Sequence, residues 1–218
     1  MGKKEKNKRI LMCVLGVLVC GISVGFFKCS LFGVDPFQTF MGGLDAVVPI
    51  QFGTLYVIAN LVLLSFSFFA DRHYVGLATF VNLFFLGYVV QYSQAFLNWV
   101  FPDPHMGIRL VFLVIAVVVM CLSSAFYFTA DLGVSTYDAV SLIISKTWNK
   151  MEFKYCRIAS DLVCVVIGVT LYLFSGQGWK GVTSIVGIGT IITAFCMGPL
   201  IEFFNVHVAR PFLEGMRK

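Results

Sequence analysis

The chain has 218 residues, 59% hydrophobic and 12% charged, with a formal charge of +5; an ordinary soluble domain is about 25% charged. A soluble fold of this size cannot hide so much apolar surface, so the composition excludes one and points to a bilayer. A membrane β-barrel is excluded too, because it needs alternating segments of about ten residues and the runs here are longer and apolar on every side.

The basic start, residues 1–9, leads straight into a first apolar segment at 10–27. This run is long for a signal-peptide core and has a counterpart in the second half, so a membrane helix is expected rather than a cleaved leader. Gly33-Val34-Asp35-Pro36-Phe37-Gln38 follows, then a mixed segment at 39–48 closed by Pro49. A second helix is expected at 52–69, a polar turn at 70–74 and a third helix at 75–99. Two prolines and a glycine make 101–107 the clearest loop, dividing the chain near its middle. A fourth helix is expected at 108–128, followed by Gly133-Val134-Ser135-Thr136-Tyr137-Asp138 and a segment at 137–144. A polar turn at 146–150, a fifth helix at 156–174, a glycine-rich loop at 175–181 and a sixth helix at 182–204 complete the apolar part. Each span is near the roughly 20 residues a bilayer requires.

The two halves repeat. At an offset of 100, Gly25-Phe26-Phe27 meets Ala125-Phe126-Tyr127 and Gly33-Val34 meets Gly133-Val134. At 101, Asn60-Leu61-Val62 meets Asp161-Leu162-Val163, and at 111 Val75-Gly76-Leu77-Ala78-Thr79 meets Val186-Gly187-Ile188-Gly189-Thr190. The expected fold is therefore all-α and integral to the membrane. Six transmembrane helices form two inverted three-helix repeats, at 10–100 and 108–205, within one structural domain. A break or short half-helix follows the first helix of each repeat. An odd number of crossings per repeat forces the inversion, an arrangement common in secondary transporters.

With the N-terminus inside, thirteen of the 16 Lys and Arg fall on cytoplasmic segments, including Arg157 and the basic tail at 206–218. Lys28, Arg109 and Lys180 fall outside. This bias predicts cytoplasmic N- and C-termini in a bacterial plasma membrane.

The Gly-Val-Asp-Pro-Phe-Gln stretch, Gln51-Phe52-Gly53-Thr54 at the start of the second helix, and Gly187-Ile188-Gly189-Thr190 with Gly198-Pro199 in the sixth resemble the YczE/YyaS/YitT family of bacterial integral membrane proteins. The resemblance covers nearly all of the chain after its basic start. It implies the six-helix architecture and no particular activity. Where the family carries Gly-Pro-Trp-Asp or a close variant, this chain has Asp35-Pro36-Phe37-Gln38, while Ser135-Thr136-Tyr137-Asp138 keeps the acid. The soluble C-terminal domain of some YitT-type members is not expected here.

The candidate binding residues begin with the breaks. Glycine tolerates unusual backbone angles, Pro36 suits the first turn of a helix, and Asp35, Ser135 and Thr136 are good N-caps. Residues 35–38 (Asp35, Pro36, Phe37, Gln38) and 135–138 (Ser135, Thr136, Tyr137, Asp138) can each open a short helix whose N–H groups face a polar ligand. The bland alternative is a capped interfacial loop. Asn60 and Asp161 are matched polar residues within helices; Asp161 could instead simply pair with Arg157 one turn away. Asp138, if buried, is the best candidate for a proton or cation site. Thr79, Asn82, Thr190 and Thr193 offer small polar faces that serve equally well in helix packing. Gln91 and Glu202 are matched near helix ends and are candidate gates, or solvated ends.

No catalytic residue, metal or cofactor is expected. The seven Cys are scattered without a Cys-x-x-Cys pair, and His73, His105 and His207 lie far apart. There is no His-Glu-x-x-His motif and no nucleophile elbow, so the protein is not expected to be an enzyme. The leading expectation is a small secondary transporter that binds a small solute between the two broken-helix motifs, with proton coupling through an acid such as Asp138 or Asp35. The alternative is a non-transporting scaffold, assembly factor or sensor, with a channel third. The expected partners are the lipid bilayer and a small solute, with no nucleic acid; a homodimer is compatible with the sequence.

Overall fold

The computed structural model describes residues 3–50, 52–176 and 178–215. Gln51 of the second-helix motif, Gln177 of the glycine-rich loop and Arg217 and Lys218 of the tail lie outside the described residues. Helix α1 spans Lys3–Ser30, α2 Pro36–Val47 and α3 Phe52–Ala70. After a short turn at Arg72–Tyr74, α4 runs over Leu77–Val100 with a π-helical turn at Asn82–Leu86. In the second half α5 is Met106–Ala130, α6 is Thr136–Leu142 with a π turn at Ile143–Thr147, and α7 is Phe153–Phe174. Helix α8 is Gly178–Ile185 and α9 is Ile188–Gly215, including a π turn at Asn205–Ala209.

Six helices are long and apolar enough to cross a membrane: α1, α3, α4, α5, α7 and α9. The two best-buried, α1 and α5, form the centre; the others turn much of their apolar surface outward. Phe69 and Phe174 are 85% and 83% exposed, as lipid-facing side chains would be.

Both breaks take one backbone path. Helix α1 ends with Leu31 at φ 58° and α5 with Asp131 at φ 53°, left-handed residues that stop the helix. Gly33 and Gly133 then both have φ 91°, which glycine alone adopts without strain. A Cβ on Gly33 would also collide with the backbone of Gly187, and one on Gly133 with the backbone of Gly76. Asp35 and Ser135 follow as N-caps, accepting from the amides of Gln38 (3.2 Å) and Asp138 (3.0 Å).

Each break is clamped by the opposite half of the chain. The Ala78 amide donates to Leu132 (3.0 Å) and the Thr79 hydroxyl to the Val134 carbonyl (2.7 Å). Reciprocally, the Gly189 amide donates to Phe32 (2.8 Å) and the Thr190 hydroxyl to the Val34 carbonyl (2.6 Å). An irregular segment inside an apolar bundle has no water to satisfy its carbonyls, and these donors supply the missing bonds.

The expectation of one unbroken sixth helix from residue 182 is corrected by this clamp. The chain is already helical at Gly178, stops after Ile185, and restarts at Ile188 beyond an extended Gly187 that lies against the Phe32 carbonyl. The tail from 206 is likewise helical as far as Gly215, held by a Thr129 hydroxyl to the Asn205 amide oxygen (2.9 Å) and by Phe126 against Phe212. The basic N-terminal stretch is helical from Lys3, and Arg9 pairs with Glu5 and bonds the Ala130 carbonyl at the end of α5.

Candidate functional site

Helix α7 serves as a ruler for the two short helices. Helix α6 meets it at Arg157, Ser160 and Asp161. Helix α2 meets it at Gly168, where Gly43 and Thr39 approach so closely that a Cβ on either glycine would strike backbone. Seven residues separate Asp161 from Gly168, about 10 Å along a helix at 1.5 Å per residue. So α2 and α6 occupy different levels of α7, and between them the Phe37 and Tyr137 rings stack at 5.0 Å and 24°. The first turns of the two short helices thus share one centre.

At that centre lies a cavity of about 60 Å³. A single water needs roughly 10–15 Å³ on this measure, so the space suits a ligand of a few heavy atoms. Its walls include Asp35, Phe37 and Gln38 from the first break and Ser135, Tyr137 and Asp138 from the second. Asn60, Asn82, Ser124, Tyr56, Tyr127 and Arg157 complete its polar and aromatic lining.

Asp138 is 5% exposed and is held on three sides. One carboxylate oxygen accepts from the Tyr127 and Ser135 hydroxyls, the other from the Arg157 guanidinium. Arg157 also donates through Nε to Asp161 (3.3 Å), and its guanidinium lies over the Tyr137 ring at 4.6 Å. Asp161, fully buried, accepts from the Tyr137 hydroxyl at 2.5 Å. Asp138, Arg157, Asp161 and Tyr137 therefore form one closed buried network. Every member has its partner, the condition under which buried charge is tolerated.

Asp35 is different. It caps α2 but makes no ion pair among the described residues. Lys28, on α1, is near enough for its charge to bear on Asp35. Three carboxylates thus face a single paired guanidinium in the heart of the bundle. A buried carboxylate without an ion pair costs several kcal/mol, which a proton or a bound cation offsets.

The sequence-derived residues separate into three groups. Asp35, Phe37, Gln38, Asn60, Asn82, Ser135, Tyr137 and Asp138 line the cavity. Pro36, Thr136 and Asp161 stand behind the lining: Pro36 sets the first turn of α2, and the Thr136 hydroxyl donates to the Asn60 amide oxygen at 2.6 Å. Thr79 and Thr190 are clamps, and Thr193 bonds back to carbonyls of its own helix, so none of these three contributes to the cavity wall. Gln91 and Glu202 are exposed and lie outside the cavity lining, Glu202 beside a surface groove with Lys146 and Arg210.

The residue underrated by sequence reasoning is Arg157. Counted among the cytoplasmic charges, it is 4% exposed, and its guanidinium is committed to two buried carboxylates. The i,i+4 spacing to Asp161 signals that pair; nothing in the spacing signals Asp138. Tyr127, one helix before the second break, was likewise missed.

Two comparisons bear on this arrangement. A family model described as a family of unknown function (DUF6198) matches residues 7–206. The chain belongs to this family. The uncharacterized protein YyaS of Bacillus subtilis is 23% identical over 205 residues, covering 94% of this chain and 96% of its own. An uncharacterized protein of Haemophilus influenzae is 23% identical over 206 residues, covering 94% and 86%. These relatives agree with the YczE/YyaS resemblance carried by the glycine motifs. No solved structure matches.

Proposed function

We propose that this protein is a small secondary transporter that binds a small solute between its two broken-helix motifs and couples movement to protons at the cavity carboxylates. The observation carrying this reading is the central cavity itself: a chamber with acids and amides on its wall, set between two helix breaks inside an otherwise apolar bundle. A structural core has no need of a chamber lined by acids and amides, whereas a solute passing through lipid needs a place to be desolvated.

In this reading the halves are inverted repeats about an axis in the membrane plane, consistent with the reciprocal clamps of Thr79 on Val134 and Thr190 on Val34. The termini are cytoplasmic and the membrane is the bacterial plasma membrane; without Arg157 the inside still holds twelve of the Lys and Arg against three outside. No catalytic step is assigned.

The test is flux in proteoliposomes loaded with a pH-sensitive dye. Expected is saturable proton-linked uptake of at least one small solute, lost in Asp138→Asn. Liposomes silent to a broad solute panel, together with one stoichiometric membrane partner on purification, would replace the transporter with the scaffold reading. Uptake without saturation would indicate a channel.

A further inference from the structure

Resting on the same site, the geometry points to a ligand class: we propose that the cavity takes a small organic cation bearing N–H groups, a primary ammonium or a guanidinium of a few heavy atoms. The first observation is charge. Arg157 lines the same cavity, but its guanidinium is spent on Asp138 and Asp161, which leaves Asp35 as the wall carboxylate that is not ion-paired among the described residues. An anion would meet Asp35 here. The helix N-termini that could attract one are already capped by Asp35 and Ser135.

The second observation is independent of charge. Gln38 is 8% exposed and Asn82 6%, both line the cavity, and neither side-chain amide has a hydrogen-bond partner among the described residues. Two amides without a protein partner that open on a single cavity are placed to meet a ligand's polar atoms. Their carbonyl oxygens accept N–H groups; Asp35 supplies the countercharge; the rings of Phe37 and Tyr56, in edge contact at 5.9 Å, supply an aromatic part of the wall. No cluster of three His, Cys, Asp or Glu that could hold a metal ion occurs among the described residues. The cavity volume of about 60 Å³ sets the size limit.

The experiment is isothermal titration of the purified full chain in detergent with methylammonium chloride. Tetramethylammonium chloride, sodium chloride and sodium acetate serve as comparisons. Methylammonium is expected to bind, and tetramethylammonium, which has no N–H, to bind more weakly. Asp35→Asn, which keeps the helix cap, should weaken methylammonium about tenfold or more, the scale of a charged hydrogen bond. Gln38→Leu and Asn82→Leu should each weaken it by about threefold to tenfold. Acetate binding in place of methylammonium, an equal response to sodium, or unchanged affinity in Asp35→Asn and both leucine variants would overturn the assignment. The failures separate: a neutral or anionic solute transported independently of Asp35 sinks this inference and leaves the transporter, while methylammonium binding with no solute flux does the reverse.

Discussion

The segment from Leu31 to Gln38 and the segment from Asp131 to Asp138 follow the same backbone path, with matching left-handed residues, matching glycines and matching N-caps. Their polar content is arranged differently. In the second, the acid sits at the fourth motif position and is locked by Arg157, Tyr127 and Ser135. In the first, the acid has moved to the capping position, the fourth position is the unpartnered amide of Gln38, and no guanidinium pairs with the acid. The backbone symmetry builds the chamber, and the chemical asymmetry makes one wall rigid and saturated while the other stays available.

The contrast predicts unequal responses to removing charge. Arg157→Met strands Asp138 and Asp161 without a cation and should cost about 3–5 kcal/mol, read as loss of folded protein in thermal or denaturant unfolding in detergent. Arg157→Lys should recover little, because an ammonium cannot match the fork that spans two carboxylates. Asp35→Asn should be neutral or stabilising, since it removes a buried charge and keeps the cap. If Asp35→Asn and Arg157→Met destabilise equally, the two walls are not different in kind.

The backbone symmetry predicts equal responses to glycine substitution. Gly33→Ala and Gly133→Ala each force a side chain into a positive φ and into the opposite half's backbone. Each should cost about 1–3 kcal/mol or more, with similar values for the two in the same unfolding assay. A large gap between them would show that one clamp alone supports the fold.

Much of this was legible in the sequence for a definite reason. The long apolar runs, the Gly-Val pairs and the caps at Asp35 and Ser135 act through local chemistry, so spans and breaks follow from the residues themselves. Asp138 and Asp161 stood out because acids are rare in such runs. Arg157 did not, because a cation near the start of a helix looks the same whether it faces headgroups or core. The restart at Gly187 and the roles of Thr79 and Thr190 depend on contacts between positions more than fifty residues apart. No periodicity encodes those contacts.

Smaller effects sharpen the comparison. Thr79→Val and Thr190→Val each leave a buried carbonyl of the opposite break unpaired, at a cost of about 1–2 kcal/mol, and should match each other. Ser135→Ala removes both the cap of α6 and a bond to Asp138, about 1 kcal/mol for the cap alone.

The smallest expected difference lies at the far ends of the short helices. At the end of the π turn after α6, the Thr147 hydroxyl donates to Asp71 at 2.6 Å; at the same motif position after the first break stands an exposed Val47. The Thr147 hydroxyl and then the His73 amide hold the Asp71 carboxyl below the usual carboxylate range. A depressed carboxylate stabilises the fold above its unfolded pKa and loses that contribution as pH falls through its folded value. The effect is confined to acidic pH, and Asp71 is solvent-exposed, so it is small and screened by salt. Comparing Thr147→Val with the unaltered chain, unfolding midpoints should differ slightly at neutral pH and converge as Asp71 protonates. A gap that persists at low pH would show that the Thr147 hydroxyl acts independently of the Asp71 charge, and the two helix ends would then differ in hydrogen bonding instead of charge.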